Sequence, residues 1–211
     1  MVRVIRSFAD AATEDVFNGR NTGRARRKCP RGLWPVAGRK LDQLDSVERL
    51  DDLRVPPGNR LETLAGDRKG QHSIRINDQY RICFRWAGEG PTDVEIVDYH
   101  DGTGRRLTDM LRVPTHREPT HPGEMLREDF LKPLGLSQRD LAERIDVPYQ
   151  RVNELVNRRR GVTPATALRL AKVFGTTPGF WMNLQLRWDL YRAQAIEARV
   201  LRGIRPIRAA S

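Results

Sequence analysis

The strongest constraint in this 211-residue chain is a change of apolar period part-way along it. Between Ser73 and Tyr99, three short runs rich in Ile, Val, Tyr, Phe and Trp are separated by Asn77-Asp78-Gln79 and by Ala87-Gly88-Glu89-Gly90-Pro91. Turn-forming residues between β-prone runs specify hairpins, so this segment predicts an antiparallel meander. In the middle run Ile82, Phe84 and Trp86 alternate with Arg81, Cys83 and Arg85. Successive side chains of a strand point to opposite faces, which makes one face apolar and lines the other with guanidinium groups. Beyond residue 121 the pattern becomes helical and stays so to the end, so the second half is all helix.

The meander closes on Asp98-Tyr99-His100, which brings an acceptor, a phenol and an imidazole to one strand end. Cleavage of RNA by 2′-OH attack needs a base for the hydroxyl proton, an acid for the leaving oxygen and fixed positive charge for the phosphate. His100 and Tyr99 suit the proton transfers, Arg81 the phosphate, and Asp98 the orientation of His100 or of a basic neighbour. The plainer reading is a sheet edge with ordinary polar residues. Arg68 and Lys69 lie between Gly66 and Gly70. Small neighbours there let a phosphate approach closely, or merely permit a tight turn.

Gly66-Asp67-Arg68-Lys69-Gly70, Ser73-Ile74-Arg75-Ile76-Asn77, Tyr80-Arg81-Ile82 and Asp98-Tyr99-His100, in that order, resemble a HigB-type toxin of the RelE superfamily over about residues 1–100. The resemblance implies a twisted antiparallel sheet with helices on one face, and a ribosome-dependent endoribonuclease that cuts mRNA in the ribosomal A site. It also puts Arg81, Asp98, Tyr99 and His100 at the family's active-site positions. Two residues depart from the pattern. Some members have His where this chain has Glu62, and many have Lys where it has Ala65. Glu62 can act as a base but cannot bind phosphate, which opens a second reading: a transcriptional repressor carrying an inactive toxin-like domain.

Elsewhere in the first half, Val2 to Ser7 alternates like a strand, and Ala9 to Phe17 reads as a helix that Gly19 stops. Gly23 to Lys28 reads as a basic loop, able to touch ribosomal RNA or simply to be solvated. Leu33, Ala37, Leu41 and Leu44 form one helical stripe to lie on the sheet, and Pro56-Pro57-Gly58-Asn59 is a turn. Residues 101–121 are rich in Gly and Pro and poor in apolar side chains, and read as a flexible linker.

In the second half, residues 122–134 form a first helix, and Ser137 caps another running to Ile145. Asp146-Val147 is a short turn and Pro148 opens the next helix. That helix turns Val152, Leu155 and Val156 inward and leaves Tyr149, Gln150, Arg151 and Asn153 outward. Gln and Asn can pair with adenine edges and Arg with guanine, while Ser137, Gln138 and the helix N-termini suit DNA phosphates. Arg158, Arg159 and Arg160 are placed to neutralise more phosphates. A helical hairpin with a wet face fits the spacing equally well. Thr163 to Phe174 and Pro178 to Gln194 complete a five-helix domain, and residues 196–211 are a basic tail.

Leu136-Ser137-Gln138, Val147-Pro148, Thr166-Ala167-Leu168-Arg169-Leu170 and Phe180-Trp181-Met182-Asn183-Leu184-Gln185 resemble a HigA-type antitoxin with an Xre-type helix-turn-helix. Asp146 and Arg158 stand where such proteins usually have Gly, at positions that commonly need a left-handed backbone. The chain as a whole is thus expected to be α+β: a toxin domain (1–100), a linker (101–121), a helix-turn-helix antitoxin domain (122–195) and the tail. Expected partners are mRNA on the ribosome and operator DNA. The two halves are expected to meet within one chain or by swapping between two, in a homodimer that represses its own promoter.

The charge distribution agrees with a polyanionic partner for the second half. Residues 1–109 carry 20 basic and 17 acidic side chains, whereas 110–211 carry 18 and 10. Two cysteines, Cys29 and Cys83, make no disulfide framework and fit a reduced cytoplasm. No apolar run is long enough to span a bilayer, so no membrane partner is expected. No cluster has metal-ligand spacing; His116 and His121 are expected to be solvated, and neither metal nor cofactor is called for.

Overall fold

The computed structural model describes residues 5–88, 90–98 and 114–205. Its first element, α1 (Ala11–Asn18), is capped by Asp10, whose carboxylate accepts from the Thr13 amide. The helix ends at Gly19 with φ 77°, a left-handed turn that costs a glycine nothing. The alternating run before it is no strand among the described residues. Phe8 instead forms a lone parallel bridge with Val94.

The basic segment expected as a loop is a short helix, α2 (Gly23–Lys28). Thr22 caps it, and Arg26, Arg27 and Lys28 occupy its last turn, where the helix dipole favours cations. Buried Asp15 anchors the cap from behind, accepting from Thr22 Oγ1 at 2.6 Å and Arg24 Nε at 2.6 Å. Tertiary capping, absent from the local pattern, is what turns the loop into a helix.

Helix α3 (Trp34–Leu44) buries Ala37, Leu41 and Leu44 completely, as the stripe predicts. It lies against a sheet of four antiparallel strands: β1 (Glu62–Thr63), β2 (Gln71–Arg75), β3 (Tyr80–Ala87) and β4 (Gly90–Asp98). The order β1-β2-β3-β4 is the expected meander with one two-residue edge strand added in front. Ile74 pairs with Ile82 and Ile82 with Ile96, and all three are fully buried beneath the helices. An irregularity between Cys83 and Arg85 shifts the β3–β4 register, and Asp93 opposite it takes φ 50°.

The second half is helical throughout. α4 (Pro122–Met125), a π-type stretch (Leu126–Leu131) and α5 (Lys132–Leu134) run end to end as one rod. Then come α6 (Gln138–Arg144), α7 (Tyr149–Val156), α8 (Pro164–Phe174) and α9 (Pro178–Leu201). The last helix continues past Gln194 into the region expected as a tail. Phe130, Phe174, Phe180 and Trp181 pack ring to ring with centroids 4.8–6.1 Å apart. These rings therefore fill the domain's own core, while Leu186 is exposed.

The two halves share one continuous apolar core. Around it runs a seam of buried charge centred on the end of α3. Asp42 is 1% exposed and accepts from both terminal nitrogens of Arg117, each at 2.8 Å. It also accepts from the amide and hydroxyl of Thr120 at 2.8 and 2.6 Å. Lys40 donates to Asp129 at 2.5 Å and to Asn59 at 2.7 Å, and Arg39 donates to the other Asp129 oxygen at 3.1 Å. Arg187, 1% exposed on α9, meets the Asp45 carboxylate at 2.7 Å and donates to Ser46 Oγ at 3.0 Å.

The linker expectation is corrected by this seam. From Pro114 the chain is pinned to the first half: the His116 amide donates to the Asn18 carbonyl at 2.8 Å, and Arg117 Nε to that of Phe17 at 2.8 Å. Residues 101–113 lie outside the described residues. His121 is likewise buried rather than solvated. It caps α4 by accepting from the Gly123 amide at 3.0 Å, and its ring meets Trp188 edge-on at 4.9 Å. The apolar and helical pattern hid these contacts because most of their partners lie about 70 to 100 residues away in the chain.

Two measurements test this packing. Asp129→Ala leaves the Lys40 ammonium buried without its carboxylate and is expected to cost about 3–5 kcal/mol in urea unfolding. Lys40→Met with Asp129→Leu should recover most of that loss, because two apolar groups need no partner. Burial first, and the Arg158 charge second, push the His121 imidazole down to about 4 from its ordinary 6.5. The unfolded chain therefore binds the extra proton, so this contribution is complete above pH 6.5 and is lost as pH falls towards 4. His121→Asn keeps a capping acceptor, and should remove on the order of 3 kcal/mol of pH-dependent stability across that window.

Candidate active site and nucleic-acid interface

The polar face of the sheet is built by register. Glu62 pairs with Ser73, Ser73 with Cys83 and Cys83 with Glu95, so these four side chains form a row across all four strands. Arg81 stands beside that row. Its Nε donates to Ser73 Oγ at 2.9 Å, one terminal nitrogen donates to the Arg60 carbonyl at 2.7 Å, and the same nitrogen meets Glu62 Oε2 at 3.0 Å. The Arg81 side chain is only 13% exposed, whereas that of Glu62 is 50% exposed. The carboxylate of this pair is thus the more exposed partner.

Three other cations of this face also meet acids. Arg68 donates to Glu95 at 2.8 Å and to Gln71 at 3.1 Å. Lys28 meets Asp10 at 3.0 Å and Glu95 at 3.9 Å, and Arg85 meets Asp93 at 3.9 Å. Lys69 is exposed beside Arg68, in a tight turn whose flanking glycines have φ 60° and 84°. Cys83 is buried, and desolvation raises its thiol to about 11, so no thiolate is available there. Cys29 is likewise a buried free thiol, pushed up to about 12.

Of the four residues expected to act together, the structure describes two, Arg81 and Asp98. Arg81 pairs with Val97 and Tyr80 with Asp98, so Arg81 and Asp98 belong to opposite faces of the sheet. Asp98 accepts from Gln79 Nε2 at 2.9 Å. Burial, and then its hydrogen bond to Asp98, raise the Tyr80 phenol above its ordinary range. Tyr99 and His100 lie outside the described residues. Sequence reading passed over Ser73, Glu95, Lys28 and the Arg60 carbonyl as partners. A register drawn from the apolar pairs would have exposed the Ser73–Cys83–Glu95 row. Nothing local marks Arg60, whose φ of 43° is forced on a non-glycine residue.

In the helical half, Ser137 and Asp140 form a reciprocal capping box at the start of α6. Asp146 has φ 50° and Arg158 φ 60°, so both substituted positions do adopt the left-handed backbone. Tyr149, Gln150 and Arg151 are exposed on the first turn of α7. Asn153 donates to Gln138 at 3.0 Å, which locks the two helices together across the turn. Arg139 stacks 5.9 Å from the Tyr149 ring. Of the basic triplet, Arg159 is exposed, while Arg160 donates to Glu154 at 2.7 Å. Arg158 turns towards the seam, pairing with Glu124 and lying 5.8 Å from the Trp188 ring.

Among the described residues, no group of His, Cys, Asp and Glu has the arrangement of a metal site, and no helix is long and apolar enough to cross a membrane.

Residues 6–101 match the family model described as a RelE-like toxin of the type II toxin-antitoxin system HigB. Residues 128–181 match that of the helix-turn-helix family. Toxin HigB-1 of Vibrio cholerae is 48% identical over 61 residues, which are 29% of this chain and 64% of that protein. Antitoxin HigA-1 of the same organism is 42% identical over 78 residues, which are 36% of this chain and 72% of that protein. The solved structure of Pseudomonas aeruginosa antitoxin HigA with higBA promoter is 37% identical and covers 43% of this chain and 99% of that one, with a TM-score of 0.42. The helical half therefore belongs to the HigA antitoxin family, and it shares one polypeptide with a first half that is similar to HigB-type toxins.

Proposed function

We propose that this chain is a toxin held silent by its own antitoxin, and that the antitoxin half also represses the promoter of its gene. The first half is read as a ribosome-dependent endoribonuclease that cuts mRNA by 2′-OH attack. His100 and Tyr99 would move protons, Asp98 would orient a basic partner and Arg81 would neutralise the phosphate, with Arg68 and Lys69 guiding the RNA backbone. The second half is read as binding operator DNA as a homodimer, with the α7 N-terminus in the major groove. Tyr149, Gln150 and Arg151 would face base edges, with Asn153 and Gln138 holding the two helices in register. Ser137 and Arg158 to Arg160 would lie near phosphates. The site of action would be the cytoplasm.

The observation that carries the proposal is the buried seam. Asp42, Asp45 and Asp129 are each almost fully buried and each meets a cation from the opposite half. Separating the halves would strand those charges, so release of the toxin is costly without destruction of the second half. The covalent connection adds to this, because a short tether gives millimolar effective concentration.

A second reading, a repressor whose toxin-like domain has lost activity, is favoured by the ion pairing of Arg81, Arg68, Lys28 and Arg85 on the polar face. Cleavage of translated mRNA on purified ribosomes separates the two. The fragment of residues 1–100, verified as folded by circular dichroism, is expected to cut, its His100→Ala variant to be inert, and the intact chain to be silent. A folded fragment that leaves messages whole sinks the toxin reading and leaves the repressor. For the DNA half, Arg151→Ala should lower discrimination at its base position by about 1–3 kcal/mol. Arg159→Ala should instead weaken all duplexes alike and flatten the salt dependence by about one unit in slope. Anisotropy titrations on the fragment upstream of the gene, at several salt concentrations, distinguish them.

A further inference from the structure

We propose that Glu62 is a gate on the RNA-phosphate site. It occupies Arg81 in the resting protein, so that a phosphodiester must displace a carboxylate to reach the guanidinium. The inference rests on reading the polar sheet face as the RNA-binding site, and adds to it the element that controls entry.

Three observations support it. First, the Arg81 guanidinium is held by Ser73 Oγ and the Arg60 carbonyl, and Glu62 Oε2 meets it at 3.0 Å. The arginine side chain is 13% exposed and that of Glu62 50%, so among these partners Glu62 is the charged group that solvent reaches. Second, Glu62 belongs to β1, a two-residue strand at the edge of the sheet, and its side chain is half exposed. An exposed ion pair on a short edge element contributes little and exchanges readily, which suits a group that must move aside. Third, Ser73 lies opposite Glu62 and itself holds Arg81, so the guanidinium keeps its position when the carboxylate swings out. A neutral residue at position 62 would remove this competitor for the guanidinium, whereas an anion there competes with the phosphate for it.

The consequence is that Glu62 weakens RNA binding through Arg81 and through nothing else. The test uses the full-length chain and a single-stranded 2′-O-methyl trinucleotide, which has phosphodiesters but no 2′-OH nucleophile and so stays intact. Affinity is measured by fluorescence anisotropy at fixed salt for the unaltered chain, Glu62→Gln, Arg81→Ala and the double variant. Thermal unfolding of each confirms that it is folded, and Arg81→Gln, which also lacks the charge, replaces Arg81→Ala if the latter is not. Glu62→Gln is expected to bind roughly threefold to tenfold more tightly, from loss of the ion pair that competes for Arg81. That gain should vanish in the Arg81 background. Nucleic acid held by the helix-turn-helix half is common to all four proteins and cancels. An unchanged or weaker Glu62→Gln complex overturns the gate. An equal gain with Arg81 removed also overturns it, since it would mark a general charge effect. If the gain holds while residues 1–100 fail to cut mRNA on ribosomes, the gate stands and the enzyme reading alone falls.

Discussion

Three carboxylates at and near the end of α3 hold this molecule together. Asp42, Asp45 and the Asp129 that faces Lys40 are nearly inaccessible, and an isolated buried carboxylate is strongly unfavourable. Each is tolerated because a cation meets it across the junction of the two halves. The arrangement is therefore less a source of stability than a demand for company. The first half presents Asp42 and Asp45 at the junction, and residues 117, 120 and 187 of the second half supply cations and donors to them. Such complementarity makes the paired state specific, since slippage by one helical turn would strand charges on both sides.

The same seam reaches the DNA-reading domain. The segment that carries Arg117 and Thr120 ends in His121, which caps α4 and packs against Trp188. Arg158, just after α7, lies over that indole and pairs with Glu124. Close contact is enforced at this corner: a Cβ on Gly123 would stand 1.7 Å from the Leu155 carbonyl oxygen. Helix α7 is thus braced against the very segment that docks on the first half.

The candidate catalytic face follows a contrary principle. Its guanidinium and ammonium groups are held by Glu62, Glu95, Asp10 and Asp93, so its local charge is balanced in the resting protein. A surface that binds phosphate strongly would leave some of that charge uncompensated. The balance accounts for how a chain that resembles a nuclease can carry its arginines without presenting them.

Much of this architecture was legible in the residues. Alternation set the three main strands, the spacing of Ala37, Leu41 and Leu44 set the helix that covers them, and caps and turns delimited α6 and α7. Those features depend on neighbours within one or two turns of chain, which the sequence lists in order. Even the strained backbone at Asp146 and Arg158 could be foreseen from the residue type that the fold prefers there. Side-chain pairing was not legible in the same way. That Glu62 pairs with Arg81, that Arg81 and Asp98 part to opposite faces, that a supposed linker is bolted to α3, and that a basic loop coils into α2 all depend on register and on partners up to about a hundred residues away. Periodicity states which side of an element is apolar; only the folded chain decides which charge each charge will meet.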